Sequence, residues 1–233
     1  MRTLAIGDIH GCRTTLDHLL SFVNPLPGDT IITLGDYVDR GPDSKGVIDK
    51  LIELRVGGQL IPLRGNHEIM MLGAHEGGKD DVRFWLACGG VEAIESYSNS
   101  VSAPTLEDVP ETHWHFIKHT CSDWYETDTH IFVHANLHPE KPTGEQTTEY
   151  LHWEHCAPLW HRPHMSGKVM ICGHTEQRSG QPLVLEGAIC IDTWAYGGGW
   201  LTCLDVETGE FWQANELGHT RTGLVGLRGA FIN

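Results

Sequence analysis

Apolar and polar positions fall in short blocks along the first third of the chain, and the period changes from one block to the next. Arg2–Ile6 is a brief apolar run that predicts a strand. Thr14 or Thr15 offers a cap for Leu16–Val23, where apolar residues at 16, 19, 20 and 23 repeat with helical spacing. The turn cluster Pro25-Leu26-Pro27-Gly28-Asp29 separates that helix from a second predicted strand, Thr30–Leu34. Ser44–Leu54 predicts a helix and Gln59–Leu63 a third strand. This strand-helix-strand-helix-strand order implies right-handed crossovers and a largely parallel core sheet of the α/β class.

Glu68–Tyr97 predicts helix, broken at Gly77-Gly78 and Gly89-Gly90. Asn99–Pro110 is polar and proline-containing, which predicts a loop, and Glu111–His119 predicts a further helix. From Ser122 the pattern turns to short strands: Trp124–Thr127, His130–His134, Lys168–Cys172, Leu183–Glu186, Ile189–Asp192, Leu201–Val206 and Phe211–Ala214. Turn residues such as Glu207-Thr208-Gly209 separate them. The chain carries no internal repeat and no low-complexity tract.

Length changes the picture only by setting its scale: 233 residues predict one domain, 1–233, with a helical insertion at about 70–120. No apolar stretch approaches the roughly 20 residues of a membrane span. The start, Met1-Arg2-Thr3-Leu4-Ala5-Ile6, runs into Gly7-Asp8 without the apolar region of a leader peptide, so a cytoplasmic location is expected. Seven scattered cysteines form no Cys-x-x-Cys pair and read as reduced, buried thiols. Sixteen Lys and Arg against 31 Asp and Glu give a formal charge of −15, which argues against a nucleic-acid groove. An anionic substrate is still tolerable, because physiological salt screens charges beyond about 8 Å. Of the sixteen histidines, the cluster His113, His115 and His119 is expected to be solvated.

The candidate chemistry sits at strand ends. Ile6-Gly7-Asp8-Ile9-His10-Gly11, Leu34-Gly35-Asp36-Tyr37-Val38-Asp39-Arg40-Gly41 and Arg64-Gly65-Asn66-His67-Glu68 are each a short apolar strand ending in glycine and a polar cluster. Val133-His134-Ala135 and Cys172-Gly173-His174-Thr175 end later strands in a similar way. Carboxyl ends of parallel strands lie along one sheet edge, so Asp8, His10, Asp36, Asn66, His134 and His174 should converge. Carboxylate, amide and imidazole ligands suit Mn, Fe, Zn or Ni, and the absence of thiolates argues against a structural zinc. A carboxylate such as Asp36 can bridge two ions; a pair about 3.5–4 Å apart lowers the pKa of a shared water from 15.7 toward ~7 and clamps phosphate oxygens. Taken singly, Asp36, Asp39 and Asp43 fit ordinary turn acids, Asn66 a turn former and His134 a hydrogen-bonded core residue. The ordered set is what points to a metal site.

The ordered motifs Gly-Asp-x-His-Gly, Gly-Asp-x-Val-Asp-Arg-Gly and Gly-Asn-His-Glu resemble the phosphoprotein phosphatase branch of the calcineurin-like metallophosphoesterases, its compact bacterial and phage members above all. The spacings, 28 residues from Asp8 to Asp36 and 30 from Asp36 to Asn66, are also similar, and the resemblance runs from residue 1 to about 206. It implies a central β-sandwich of two mixed sheets flanked by helices. It implies a first metal on Asp8, His10 and Asp36 and a second on Asp36, Asn66, His134 and His174, with manganese first and iron, zinc or nickel as alternatives. By the same resemblance Arg40 grips the phosphate, and His67, oriented by Asp39, protonates the leaving group. Arg162, in Leu159-Trp160-His161-Arg162, matches a second phosphate-binding arginine, with His161 and His164 as rivals. Glu68 is read as loop support, Arg64 and Tyr37 as packing, Asp192 as structural, and Phe84-Trp85-Leu86 as core with a cap over the site as the alternative.

The implied activity is a phosphomonoesterase acting on phosphoserine, phosphothreonine or phosphotyrosine in proteins, through in-line attack by a metal-bridging hydroxide. The alternatives are a symmetrical dinucleoside tetraphosphatase and a broad monoesterase and diesterase. The tetraphosphatase pattern usually replaces the aspartate matching Asp39 and ends its third motif in aspartate, whereas this chain keeps Asp39 and Glu68. A non-catalytic phosphoprotein scaffold would lose a ligand or the proton donor, and none is lost; a nuclease is disfavoured by the charge. One departure stands out: Trp194 follows Ile191-Asp192-Thr193 where the family pattern has glycine, which narrows access to the site. The expected partners are a phosphorylated protein or a small phosphoester, with no nucleic acid and no membrane.

Overall fold

The structure, a computed structural model, describes residues 1–98 and 104–226. The first third follows the expected order: β1 (Thr3–Ile6), α1 (Arg13–Val23), β2 (Thr30–Thr33), α2 (Ser44–Val56) and β3 (Leu60–Pro62). The expected breaks then divide α3 (Asn66–Glu76), α4 (Lys79–Trp85) and α5 (Val91–Glu95). Between α4 and α5 the turns of Leu86–Gly90 widen to π-type, and Gly89 there takes φ 113°. Residues 99–103 of the expected loop lie outside the described residues, and α6 (Glu111–His115) follows it. The second half contributes β4 (Trp124–Glu126), β5 (His130–Val133), α7 (Thr148–His152), β6 (Val169–Cys172), β7 (Leu183–Leu185), β8 (Ala188–Cys190), β9 (Leu201–Asp205), β10 (Glu210–Ala214) and β11 (Thr220–Leu224). Strand β11 was not expected from the sequence.

These strands form two mixed sheets, in the orders β11-β10-β9-β1-β2-β3 and β4-β5-β6-β8-β7. The expectation of a largely parallel core sheet holds only for β1, β2 and β3. Strand β9 joins β1 antiparallel and continues through hairpins into β10 and β11, because the turn at Glu207-Thr208-Gly209 is too short for a parallel return. The second sheet repeats the scheme, with β5, β6 and β8 parallel and antiparallel edges β4 and β7.

Side-chain alternation along β1 explains the layering. Ala5 faces the space between the sheets, where Ile32, Leu34 and Leu63 meet Phe132, Ile171, Ile189 and Ile191. Leu4 and Ile6 face the other way, onto Leu16 and Leu19 of α1 and a cluster that includes Val47, Ile48 and Leu51 of α2. Each of these aliphatic chains is at or near zero exposure and contributes about 1.5–3 kcal/mol by leaving water. The sandwich is thereby locked in one register, and the carboxyl ends of β1, β2, β3, β5 and β6 are held at one edge.

Six of the seven cysteines are buried as free thiols and Cys88 is half-buried. His113 departs from the expectation of a solvated cluster: it is buried, with its ring bonded to Tyr97 and to Asp49 at 3.0 Å each. No helix among the described residues is long and apolar enough to cross a membrane.

Candidate active site

The loops after β1 and β2 are bonded together before any side chain is considered. The carbonyl of Asp36 accepts from the backbone N–H of Ile9 at 3.0 Å and of His10 at 2.8 Å. Buried Glu68, one turn into α3, accepts from the N–H of Asp36 and Gly65 at 2.8 Å, of Tyr37 at 2.7 Å and of Val38 at 3.3 Å. Its assigned support of the loop is therefore structural fact, although burial pushes its carboxyl up to about 7. Seven described non-glycine residues have positive φ, and five of them are His10, Asp36, Asp39, Arg40 and His174. Such strain persists only where surrounding contacts over-determine the backbone, and here it concentrates at one place.

The hydrogen bonds of three histidines set their tautomers. His10 Nδ1 bonds the Val38 carbonyl at 2.9 Å, His134 Nδ1 the Leu34 carbonyl at 2.8 Å, and His174 Nε2 the Trp153 carbonyl at 3.1 Å. A carbonyl only accepts, so each of those nitrogens carries the proton and the other ring nitrogen presents a lone pair. The lone pairs of His134 and His174 face acceptors: His134 Nε2 lies 2.8 Å from Asn66 Oδ1 and 3.4 Å from Asp36 Oδ1, and His174 Nδ1 lies 3.1 Å from Asn66 Oδ1. His10 Nε2 lies 3.3 Å from Asp36 Oδ2 and accepts from the Arg40 guanidinium at 3.1 Å. Asp8 is buried beside them, and its Oδ1 has no hydrogen-bond partner among the described residues, while its Oδ2 accepts from the His174 N–H at 2.9 Å.

Lone pairs converging without protons between them fit cations. Two groups satisfy ligand geometry, His10 with Asp36 and His67, and Asp36 with His134 and His174, and Asp36 belongs to both. Electrostatics agree. Burial, the neighbouring Asp192 and Asp36 push the Asp8 carboxyl well up, which a bound dication would reverse. Burial also opposes ionisation of Asp36, and the neutral rings of His134 and His67 carry no charge to offset it, so an ionised Asp36 calls for a cation beside it. Burial drives His134 down to about 3, so its ring is neutral and able to ligate.

Beside these groups His67 Nδ1 meets Asp39 Oδ2 at 2.6 Å, with Nε2 at 3.9 Å from Asp36 Oδ2. Asp39 is fully buried, and the indole of Trp85 donates to both its oxygens, at 2.9 and 3.0 Å. Trp85 is thus core with a polar role the sequence did not disclose, whereas Phe84 of the same segment is exposed. Burial and the charge of Glu68 raise the Asp39 carboxyl well above its usual range, and burial drives His67 down to about 2. Both shifts disfavour a charge-separated Asp39–His67 pair.

An open cleft of about 540 Å³ exposes Asp36, Asn66, His67, His174 and Arg40, with Trp153, His155, Thr175 and Glu176 as further walls. Arg40 lies against the face of Tyr196 at 4.6 Å and bonds Glu176 at 3.4 Å; Tyr196 in turn donates to Glu176. Sequence reasoning missed Glu176, Tyr196, Trp153 and His155, which belong to no motif; the one available signal was the closeness of Glu176 to His174 and of Tyr196 to Asp192. Arg64 and Tyr37 are structural, as read: Arg64 bonds the Ile117, Lys118 and Cys121 carbonyls, and the Tyr37 hydroxyl donates to Leu63 at 2.5 Å. Arg162 is not brought to this cleft. Its guanidinium lines a neighbouring recess and pairs with Glu140 at 3.0 Å, and His161 and His164 bond backbone carbonyls at 2.8 Å instead. Trp194 takes φ 65°, the left-handed conformation glycine would adopt freely, and its ring packs over Gly197 and under Arg178. Asp192 accepts from the Trp194 N–H at 3.0 Å, a structural role as read.

Comparisons with known proteins bear on this geometry. A symmetrical bis(5'-nucleosyl)-tetraphosphatase of Acidovorax sp. (strain JS42) is 40% identical over 78 residues, 33% of this chain and 27% of that protein. Serine/threonine-protein phosphatase 2 of Escherichia coli (strain K12) is 41% identical over 88 residues, 36% of this chain and 37% of its own length. The chain thus matches well under half the length of either relative. The crystal structure of a cold-active protein-tyrosine phosphatase of a psychrophile, Shewanella sp., shares the fold at a TM-score of 0.59 and 15% identity, covering 95% of this chain and 80% of that one. The family model for calcineurin-like phosphoesterases matches residues 1–180. With that match spanning most of its 233 residues, and with a two-sheet sandwich that gathers histidine and aspartate at one edge, the chain belongs to the calcineurin-like phosphoesterases.

Proposed function

We propose that this chain is a metal-dependent phosphomonoesterase of the phosphoprotein phosphatase branch, built as one domain, with phosphorylated serine, threonine or tyrosine as its first substrate class. The observation that carries the reading is the convergence of unprotonated ring nitrogens and carboxylate oxygens on Asp36. Asp8, His10 and Asp36 would hold one divalent cation and Asp36, Asn66, His134 and His174 a second, with manganese first among ions suited to such ligands. When bound, the pair supplies Lewis-acid charge and a water acidic enough to attack at neutral pH.

The chain's own groups do the rest. Arg40, fixed by Tyr196 and Glu176, presents its planar fork to the non-bridging phosphate oxygens. His67 holds a proton at Nε2 toward the cleft while Nδ1 accepts the proton carried by Asp39. Giving Nε2–H to the leaving oxygen lets the Asp39 proton pass to Nδ1, so the ring stays neutral and the charge appears on Asp39. Trp85 meets that charge with a direct N–H donor. General-acid assistance of this kind is worth about 10²–10⁴ in rate.

A second reading, a dinucleoside tetraphosphatase, is favoured by the name of the Acidovorax relative and by the aromatic recess beside the cleft. The substitution His67→Asn tests the mechanism common to both. It should keep manganese and lose most turnover of phosphoserine, while p-nitrophenyl phosphate, whose leaving group needs little protonation, falls less. Wild-type phosphoserine turnover in that variant would remove His67 from its role.

A further inference from the structure

Next to the cleft lies a recess of about 150 Å³ whose walls include His138, Tyr150, His155, Trp160 and Arg162. His155 belongs to both spaces. Its ring stacks on His174 at 4.8 Å and 29°, so one imidazole forms the partition between metal-ligand side and recess side. His138 packs edge-on to Tyr150 at 5.1 Å, which fixes the far wall as a ring surface.

Two features of this recess have no use in the fold. The indole of Trp160 is 83% exposed and its neighbour Leu159 is 86% exposed, so neither side chain contributes much core. Among the described residues Arg162 pairs with Glu140 alone, both being well over half exposed, and an ion pair so open to water is worth little and gives way readily. An exposed indole, two imidazoles and a loosely held guanidinium on one rim have the chemistry that receives a flat heterocycle joined to an anion.

We propose that this recess is the leaving-group subsite, and that it takes a nucleoside: the base against Trp160, with Arg162 beside its phosphate. The inference rests on the hydrolase reading of the adjoining cleft and deepens the dinucleoside alternative over the protein one. An alkyl phosphoserine side chain has no ring to stack, and a polypeptide flanking it would leave Trp160 unused. Glu154 also lines the recess and Glu140 offsets Arg162, so the base stack on Trp160, rather than charge, has to supply most of the affinity.

Equilibrium binding of adenosine 5'-monophosphate and of ribose 5-phosphate to the manganese-loaded His67→Asn protein, which should keep the metal but turn over little of either monoester, tests this, since the two differ only by the base. The monophosphate should bind about tenfold or more tightly than the ribose compound, the factor one stacked base supplies. Trp160→Ala should erase that ratio and Trp160→Phe, which keeps a ring, should retain much of it; both should melt as the wild type does, given the exposure of this side chain. Equal affinities for the two ligands, or a preference that survives Trp160→Ala, would overturn the assignment. Wild-type turnover of p-nitrophenyl phosphate is read in parallel and decides the hydrolase reading separately, because neither binding ratio depends on catalysis.

Discussion

Glu68 Oε2 accepts the backbone N–H of Asp36 at 2.8 Å, so the residue shared by both ligand groups is held by a carboxylate 32 positions along the chain. The same side chain satisfies Tyr37, Val38 and Gly65. Removing it leaves four buried donors without an acceptor, each costing about 1–3 kcal/mol before water refills the space. Glu68→Ala should therefore destabilise the protein by at least about 3 kcal/mol in urea denaturation and weaken manganese binding roughly 10- to 100-fold. Glu68→Gln, which keeps one accepting oxygen, should fall between the two. A Glu68→Ala protein with wild-type stability and metal affinity would show that other contacts hold the Asp36 loop.

The shared position of Asp36 has a consequence for stoichiometry. Since its two oxygens face different histidines, His134 at 3.4 Å and His10 at 3.3 Å, losing one oxygen should affect both groups. Calorimetric titration of metal-free protein with manganese should give two sites in the wild type. Asp36→Asn should abolish the tighter one and weaken the other at least 10-fold, with activity lost in step. Retention of two undiminished sites in that variant would refute Asp36 as a bridge.

Much of this was legible because the candidate ligands lie at strand ends, where motif and topology coincide. Gly-Asp-x-His-Gly and its two companions name the side chains, and parallel pairing of β1, β2 and β3 then brings them to one edge. The polar role of Trp85, and Glu176 and Tyr196 altogether, escaped notice for a different reason. Trp85 meets Asp39 from 46 residues away, and Tyr196 meets Arg40 across the cleft; no local pattern encodes such contacts. The mixed character of the sheets was visible only through the resemblance, since an isolated strand does not reveal its direction. Arg162 shows the converse: its motif position suggested the site, but it lines the next recess, paired with Glu140.

At the start of the chain, Asp29 should impose an acid limit on stability. Burial alone would raise its carboxyl, but the Arg2 side chain and the N–H groups of Leu26 and Arg2 outweigh burial and lower it to about 2. A carboxyl lowered on folding contributes stability that is present above its unfolded value near 4 and is lost as pH falls toward 2. The Arg2 arm is partly exposed, so screening leaves about 1 kcal/mol of the effect. Comparing Asp29→Asn with wild type by chemical denaturation should show that difference at pH 6 and its progressive loss as pH falls from 4 through about 2. A gap that stays constant with pH would assign the effect to packing instead.

Gly89 offers the sharpest separation of fold from function. Its φ of 113° lies where a side chain is strained, and a Cβ there would stand 2.7 Å from Arg40 Cγ and 2.9 Å from Arg40 N. Its carbonyl also accepts the Arg40 N–H at 3.0 Å, so the turn after Trp85 sets the backbone of Arg40, the proposed phosphate-binding arginine. Gly58 supplies the control, with φ 77° and open space around it. Both substitutions to alanine carry the left-handed penalty of about 1–2 kcal/mol, but only the one at Gly89 must move Arg40. Gly89→Ala should therefore raise KM and weaken inhibition by free phosphate about 10-fold, in the direction of Arg40→Ala, whereas Gly58→Ala should lose similar stability with unchanged KM. If the two variants have the same KM, then Arg40 does not depend on this turn, and its hold on phosphate comes from Tyr196 and Glu176 alone.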